Sequence, residues 1–390
     1  MTVNGEEVVF LARLPDEPET QMSVSSQHGW PRVSVCRRGL AVAVTSLALT
    51  SAVFILRFRQ VSFPSLVAYA NFMVATDDHD SEHHPKYAKV KGDIETLWQR
   101  PTGEVKGIFF AAHGCCHQGP DYFSEVEPDG WKFKACQGTN SRGCLGLPEE
   151  VYFRRTVLSR GYILLAVSGG SGTGDCWSPT EAPRVRDAIE YVRQKENLPD
   201  SLPVFATGSS SGGSLMEPMA APVDKGGVSN IKCIVPMVSV AGVTERKIPT
   251  LHVCMSQDRF TCNAAHQQYL SLKAAGIRAG EIAASPRSLT VAFLSKCLSA
   301  ELAGKVIKAL SDAGNLDDKG MLAKDPRASN WREPVHEAIK EDSSDTLVAD
   351  KSCLSELMNV AWSFHEFTGE YSEKMLDFCE GHWEGTLAES

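Results

Sequence analysis

Val204-Phe205-Ala206-Thr207-Gly208-Ser209-Ser210-Ser211-Gly212-Gly213 is the stretch on which the reading of this chain turns. An apolar, β-rich run passes directly into G-x-S-x-G, and a helix-compatible segment follows. A strand that turns this sharply into a helix crowds its own neighbours, so small residues must flank the central one, here Ser210. The same turn aims the N–H of the next residue, Ser211, at the place where a negatively charged oxygen would develop. Five residues alone are a weak signal, because Ser/Gly runs are common in loops; the position after a fourth candidate strand is what gives the motif weight.

Outward from this point, short β-rich runs alternate with longer helical ones. The strand candidates are 94–98, 107–112, 162–167, 203–207, 233–238 and 250–255, with a weaker one at 280–284. That alternation predicts an α/β fold with a mostly parallel central sheet flanked by helices. Residues 180–197 carry Val185, Ala188, Ile189 and Val192 at helical spacing, with Pro199 just beyond, and 261–275 read similarly. After about residue 288 the strand signal fades. Leu298, Leu302, Val306 and Leu310 then share one helix face, which predicts a helical insertion over about 288–355, emerging after the last strand and able to cover a site.

A lone serine is a poor nucleophile. It needs a base, and the base needs an orienting carboxylate. In α/β-hydrolases these follow in the order Ser, Asp or Glu, His. Asp258 ends the apolar run Thr250-Leu251-His252-Val253-Cys254-Met255 and its turn, and is the candidate acid; an N-cap for the helix starting near Thr261 is a compatible second role. Downstream lie His266, within a helix, His336, in a charged run, His382, and His365. His365, among the aromatics of Trp362-Ser363-Phe364-His365-Glu366-Phe367, is the candidate base. His113-Gly114, at the end of strand 107–112, forms an oxyanion loop of the kind found in lipases, so the backbone amides of Cys115 and Ser211 are the expected oxyanion hole. A thiol nucleophile built from Cys115, Cys116 and His117 is the weaker alternative, because neighbours on a loop seldom face one point. Ser168 to Gly174 lacks the pattern of a phosphate loop and reads as a site-edge loop. This chemistry requires neither a metal nor an organic cofactor.

The chain has 390 residues, 43% hydrophobic and 22% charged, which excludes a disordered chain and a multi-pass membrane protein. Its 39 Lys+Arg against 48 Asp+Glu leave a net charge of −9, which argues against nucleic acid as a partner. Residues 1–38 read as a disordered tail. Residues 40–56 carry no charge and are flanked by Arg37, Arg38, Arg57 and Arg59, so 39–59 reads as one membrane segment, a signal anchor, with a cleaved targeting sequence ending near Ala68-Tyr69-Ala70 as the alternative. Residues 60–91 read as a linker whose Asp77, Asp78, His79, Asp80, His83 and His84 lack the fixed geometry of a metal site. The hydrolase domain is expected over 92–390. Together these readings predict a single-pass membrane protein of the endomembrane system with a lumenal catalytic domain, or alternatively a secreted or plastid protein. Cys136, Cys144 and Cys176 fall in loops on the nucleophile's side of the sheet, where a lumenal location favours bridging.

Residues Gly92 to Leu97-Trp98, His113-Gly114-Cys115, Gly146-Leu147-Pro148-Glu149-Glu150, Cys176-Trp177, Gly208 to Gly213, Asp325 to Trp331 and His365-Glu366 occur in order. In these the chain resembles a membrane-anchored, largely uncharacterised plant- and algal-type family of the α/β-hydrolase superfamily. It departs at the doubled Cys115-Cys116 and at Ser256-Gln257, where that family tends to have Pro-Lys. The resemblance implies an α/β-hydrolase fold, a Ser210, Asp258 and His365 triad, and His365 over the other histidines. The expected activity is a serine hydrolase acting on an ester or related, lipid-like acyl substrate. The competing readings are a catalytically silent binding protein of the same fold and a serine peptidase.

Overall fold

The computed structural model describes residues 83–137, 143–170, 176–383 and 386–388. Its strands are β1 (Lys86–Val90), β2 (Ile94–Gln99), β3 (Gly107–Ala112), β4 (Tyr162–Val167), β5 (Val204–Ser209), β6 (Ile231–Met237), β7 (Thr250–Met255), β8 (Ala279–Ala284) and β9 (Thr386–Ala388). They form one sheet in the order β1-β2-β4-β3-β5-β6-β7-β8-β9. β2 runs antiparallel to both β1 and β4, and the other pairings are parallel. The helices are α1 (Pro148–Ser159), α2 (Ala182–Lys195), α3 (Ser211–Ser214), α4 (Met216–Met219), α5 (Arg259–Ala274), α6 (Val291–Leu294), α7 (Ala300–Asp312), α8 (Arg332–Ile339), α9 (Cys353–Trp362) and α10 (Ser372–Glu380). A mostly parallel sheet, helices on both faces and a helical segment after β8 make this the α/β-hydrolase topology, as the alternation of strand and helix signals predicts.

β3 and β4 are apolar and buried along their whole length because both sheet faces are covered. Successive residues serve opposite cores. Phe109 and Leu164 join one cluster with Phe153, Phe205 and Met375, while Ile108, Phe110, Ile163 and Leu165 join another with Val185, Ala188, Ile189 and Val192 of α2. Phe109 meets Phe153 and Phe205 edge-on, at 5.2 and 5.9 Å between ring centroids, the arrangement aromatic quadrupoles favour. In α7 the buried face is Ala303, Val306 and Leu310, so Leu302, expected on that face, lies beside it. The Ser299 cap sets that register by accepting the Leu302 N–H.

The sheet begins earlier than the strand pattern suggests, since β1 occupies part of the stretch read as a linker. There, His84 stacks on Trp131 and bonds Asp129. The membrane expectation needs correcting. Residues 39–59 lie outside the described residues, and among the described residues no helix is long and apolar enough to cross a membrane. An apolar run bounded by arginines satisfies a composition rule without establishing a span. The expected anchor and membrane partner, and the lumenal placement that rested on them, therefore find no support in the structure.

What the fold presents to chemistry is the turn from β5 into α3. Ser210 has φ 51° and ψ −112°, outside the regions an L-residue prefers, while its N–H still bonds Met237 O on β6 and its carbonyl already accepts from Ser214. Such a turn brings backbones together. A Cβ at Gly208 would lie 2.3 Å from Gly212 O, and one at Gly212 would lie 2.5 Å from His113 O and 2.7 Å from Ala112 O. These contacts are with the backbone of α3, of Ala112 at the end of β3 and of the residue after it, so no side-chain motion relieves them. Gly212→Ala is therefore expected to cost about 3 kcal/mol or more, in the range of severe steric substitutions, read as a fall in the denaturant midpoint. An unchanged midpoint would refute the close approach.

Candidate active site

Three loops at the C-terminal edge of the sheet converge here. Ser210 tops the elbow after β5. Asp258 follows β7 and caps α5, its Oδ1 accepting the Thr261 N–H at 3.2 Å. His365 lies between α9 and α10. The structure brings all three together: Ser210 Oγ is 2.9 Å from His365 Nε2, and His365 Nδ1 is 2.6 Å from Asp258 Oδ2. A carboxylate only accepts, so Nδ1 carries the proton and Nε2 is left to accept from the serine. Asp258 is buried, which alone would raise its pKa. The bonds from His365 and Thr261 outweigh that and hold its carboxyl below the ordinary range. The other candidate histidines lie elsewhere: His266 pairs with Glu281, and His336 and His382 sit beside Glu337 and Glu380.

Gly114 packs against the elbow, where an added Cβ would lie 3.1 Å from Ser209 Oγ and 3.8 Å from Ser210 Cβ. His113 is buried. Its Nε2 accepts the Gly169 N–H at 2.9 Å, so its Nδ1 bears the proton and donates to Gly114 O at 2.7 Å. In a trans peptide the carbonyl and the next N–H point opposite ways, so fixing Gly114 O also fixes the Cys115 N–H. Among the described residues the N–H groups of Cys115 and Ser211 donate no hydrogen bond. The Cys115 sulfur is bonded to Cys176, which removes it as a thiol nucleophile. Residues 171–175 of the expected site-edge loop lie outside the described residues. Cys136 pairs with Cys144.

Some constraints escape sequence reasoning. A Cys254–Cys262 bond straddles Asp258, and its close spacing was the available signal. Buried Ser363 stitches the base loop to the acid turn: Ser256 N–H donates to its Oγ, Gln257 N–H to its carbonyl, and its own hydroxyl to Ala284 O. Arg327, between α7 and α8, reaches the carbonyls of Phe364 and His365. The Ser363 and Arg327 contacts have no local sequence signature.

No family model and no curated protein matches the chain. Among solved structures, it is similar to an acetyl xylan esterase from Aspergillus awamori at 18% identity and TM-score 0.27, over 39% of this chain and 50% of that one. It is also similar to a dienelactone hydrolase from Anabaena variabilis (13%, TM-score 0.34, covering 53% and 87%) and to ferulic-acid-bound Est1E from Butyrivibrio proteoclasticus (13%, TM-score 0.33, covering 51% and 89%). The chain thus spans half the length of the acetyl xylan esterase it matches. The fold assignment rests on the sheet order and not on these likenesses. Membership of a membrane-anchored plant- or algal-type family is a further expectation to correct: no family model matches, none of these similar structures carries it, and short spaced segments such as His113-Gly114-Cys115 are too brief to specify a family.

Behind the site lies a buried set of charges. His117 sits between Asp121, at 3.3 Å, and Glu366, at 4.0 Å. Burial would lower its pKa, but Asp121, Glu366 and Glu150 together raise it to about 10, so it is a buried cation. Glu150 of α1 and Glu356 of α9 face each other, each with an oxygen that has no other partner. Burial, reinforced by the Glu150 charge, pushes Glu356 well up, and burial raises Glu150 to about 7, so the pair holds a proton above the ordinary carboxylate range. The folded state keeps a proton that the unfolded chain releases above the ordinary carboxylate range, so the pair's contribution to stability is full below that range. It declines as pH rises toward the raised folded value. Glu356→Gln supplies a permanent donor. Its thermal midpoint is expected to fall less than the wild type's as pH rises from the ordinary carboxylate range through about 7, and parallel pH profiles would exclude the retained proton.

Proposed function

We propose that this protein is a serine hydrolase acting on an ester or related acyl substrate. The observation that carries the reading is the unbroken Ser210–His365–Asp258 hydrogen-bond chain, standing on an elbow whose neighbouring amides are uncommitted. Ser210 Oγ attacks the substrate carbonyl carbon while His365 Nε2 takes its proton. Asp258 holds the Nδ1–H tautomer and stabilises the imidazolium. The carbonyl oxygen becomes an oxyanion that the N–H groups of Ser211 and Cys115 receive. Collapse expels the alcohol, which leaves with the proton from His365, and an acyl ester remains on Ser210. Water then attacks that ester with His365 again as base. The acid departs and Ser210 regains its proton.

The test is labelling of the full chain by a fluorophosphonate, which phosphonylates only an activated serine, followed by turnover of short acyl esters. Wild type is expected to label. Ser210→Ala and His365→Ala are expected not to label, and to lose about 10³-fold or more in kcat with an unchanged thermal midpoint. A folded wild type that resists the probe and leaves esters intact would instead favour a silent binding protein of this fold. Cleavage of small peptides in preference to esters would favour a peptidase.

His113 makes a second test possible. Its Nδ1–H orients the peptide that supplies the Cys115 N–H, and an oxyanion donor is used only in the transition state. His113→Leu is expected to lower kcat by about 10²-fold while KM stays within about threefold. A loss confined to KM would contradict the positioning role.

A further inference from the structure

We propose that Arg327 is a positioning residue for the base, and that through it the helical segment after β8 braces the active site; this rests on the reading of Ser210, His365 and Asp258 as a catalytic triad. Arg327 stands in the turn between α7 and α8, and that turn is itself fixed. Asp325 Oδ1 accepts the Arg327 N–H at 2.8 Å, and the Ala328 N–H bonds Asp325 O at 3.0 Å. Trp331, 1% exposed, anchors the turn in the core and donates its indole N–H to Pro326 O at 3.1 Å. From this footing the guanidinium grips three consecutive residues of the base loop. Nη1 donates to Phe364 O at 2.6 Å, and Nη2 to His365 O at 3.0 Å and to Glu366 Oε2 at 3.3 Å. Its carbon lies 5.6 Å from the Phe364 ring centroid.

The loop needs such a grip. Ser363 at φ 59° and His365 at φ 46° are both in the left-handed region without being glycine, so the backbone around the base is held in a conformation it would not keep alone. Ser363 secures the near end. Glu366 secures the far end, where it accepts from Asn359 Nδ2 at 2.8 Å and from the Phe367 N–H at 3.1 Å, with the His117 cation on its other side. Between them, Arg327 bridges the Phe364 and His365 carbonyls. A planar fork of fixed donors suits two adjacent carbonyls and a carboxylate; a lysine ammonium offers one charged point and cannot span all three. Arg327 has no bond to Ser210 or Asp258 and acts only through the loop.

The experiment compares full-length wild type, Arg327→Ala and Arg327→Lys in turnover of a short acyl ester, with and without added ethylguanidinium, alongside the low-field proton resonance of His365 Nδ1–H. The expected result for Arg327→Ala is a loss of about 10²-fold in kcat with KM within about threefold, since a small displacement of a catalytic group acts on this scale. Arg327→Lys should recover part of that loss, ethylguanidinium should restore part of the alanine variant's rate, and the low-field resonance should broaden. A kcat within about twofold of wild type in either folded variant, or a loss carried by KM, would overturn the proposal. Should Arg327→Ala not fold, the same two criteria decide on Arg327→Lys. If wild type turns over no ester and takes no fluorophosphonate, the catalytic reading fails by itself. The resonance then decides on the brace: unchanged in the variant, it overturns it; broadened, it upholds it.

Discussion

Ser210 is held at φ 51° by a turn that has no room for side chains at Gly208 or Gly212, and the rest of the site is arranged around that constraint. A non-glycine residue in this region costs of order 1–3 kcal/mol, so the surroundings must over-determine it. They do so from two directions. The Ser210 N–H continues the ladder to β6 at Met237, and its carbonyl starts the helix at Ser214. The strand and helix are each satisfied up to the serine itself, which leaves the Ser211 N–H as the amide the turn does not use. The conformation that strains the backbone is the same one that lifts Oγ clear of the sheet and leaves an amide beside it.

Charge is distributed to the same end. Three carboxylates near the base have three different fates. Asp258 is kept ionised by donors from His365 and Thr261. Glu366 is buried between Asn359, Arg327 and His117. Glu356 faces Glu150, and burial beside that charge pushes its carboxyl well above the ordinary range. Burial is common to all of them, so the differing outcomes come from the donors each one meets. The base loop is therefore framed by an acceptor on one side and by compensated charge on the other, and His365 is not drawn toward the wrong carboxylate.

The readable parts of the sequence were those whose physics is local. Central strands announce themselves because both faces are buried, so 107–112 and 162–167 stand as unbroken apolar runs matching β3 and β4, and 250–255 as a largely apolar one matching β7. Edge strands do not: β1 is KYAKV, half polar, and β9 is three residues long. The elbow and the acid turn are strand–turn–helix motifs with recognisable residues at fixed offsets. His365 had to be chosen among four histidines, because the helical segment separates it from Asp258. Arg327, Ser363 and Glu366 were invisible as site residues. Their bonds join segments distant in sequence, and an arginine near a proline or a serine after a tryptophan looks ordinary in one dimension. The apolar run near the N-terminus misled for the opposite reason: it matched a pattern of composition without any contact to test it.

The cross-links lend the three site loops unequal tenacity. Cys115–Cys176 ties the loop after β3, and Cys254–Cys262 closes a ring around Asp258. The base loop has no bond of that kind within it; its nearest ones, at Cys353 and Cys379, lie out in the helices on either side. Two corners of the site are thus covalently hemmed and the third is held by hydrogen bonds and ion pairs, which open locally at far lower free energy than the fold as a whole. Warming or dilute denaturant should consequently part His365 from Ser210 and Asp258 before melting the molecule: the histidine would swing away from two turns that are still in place, and on cooling only one short segment would have to find its position again.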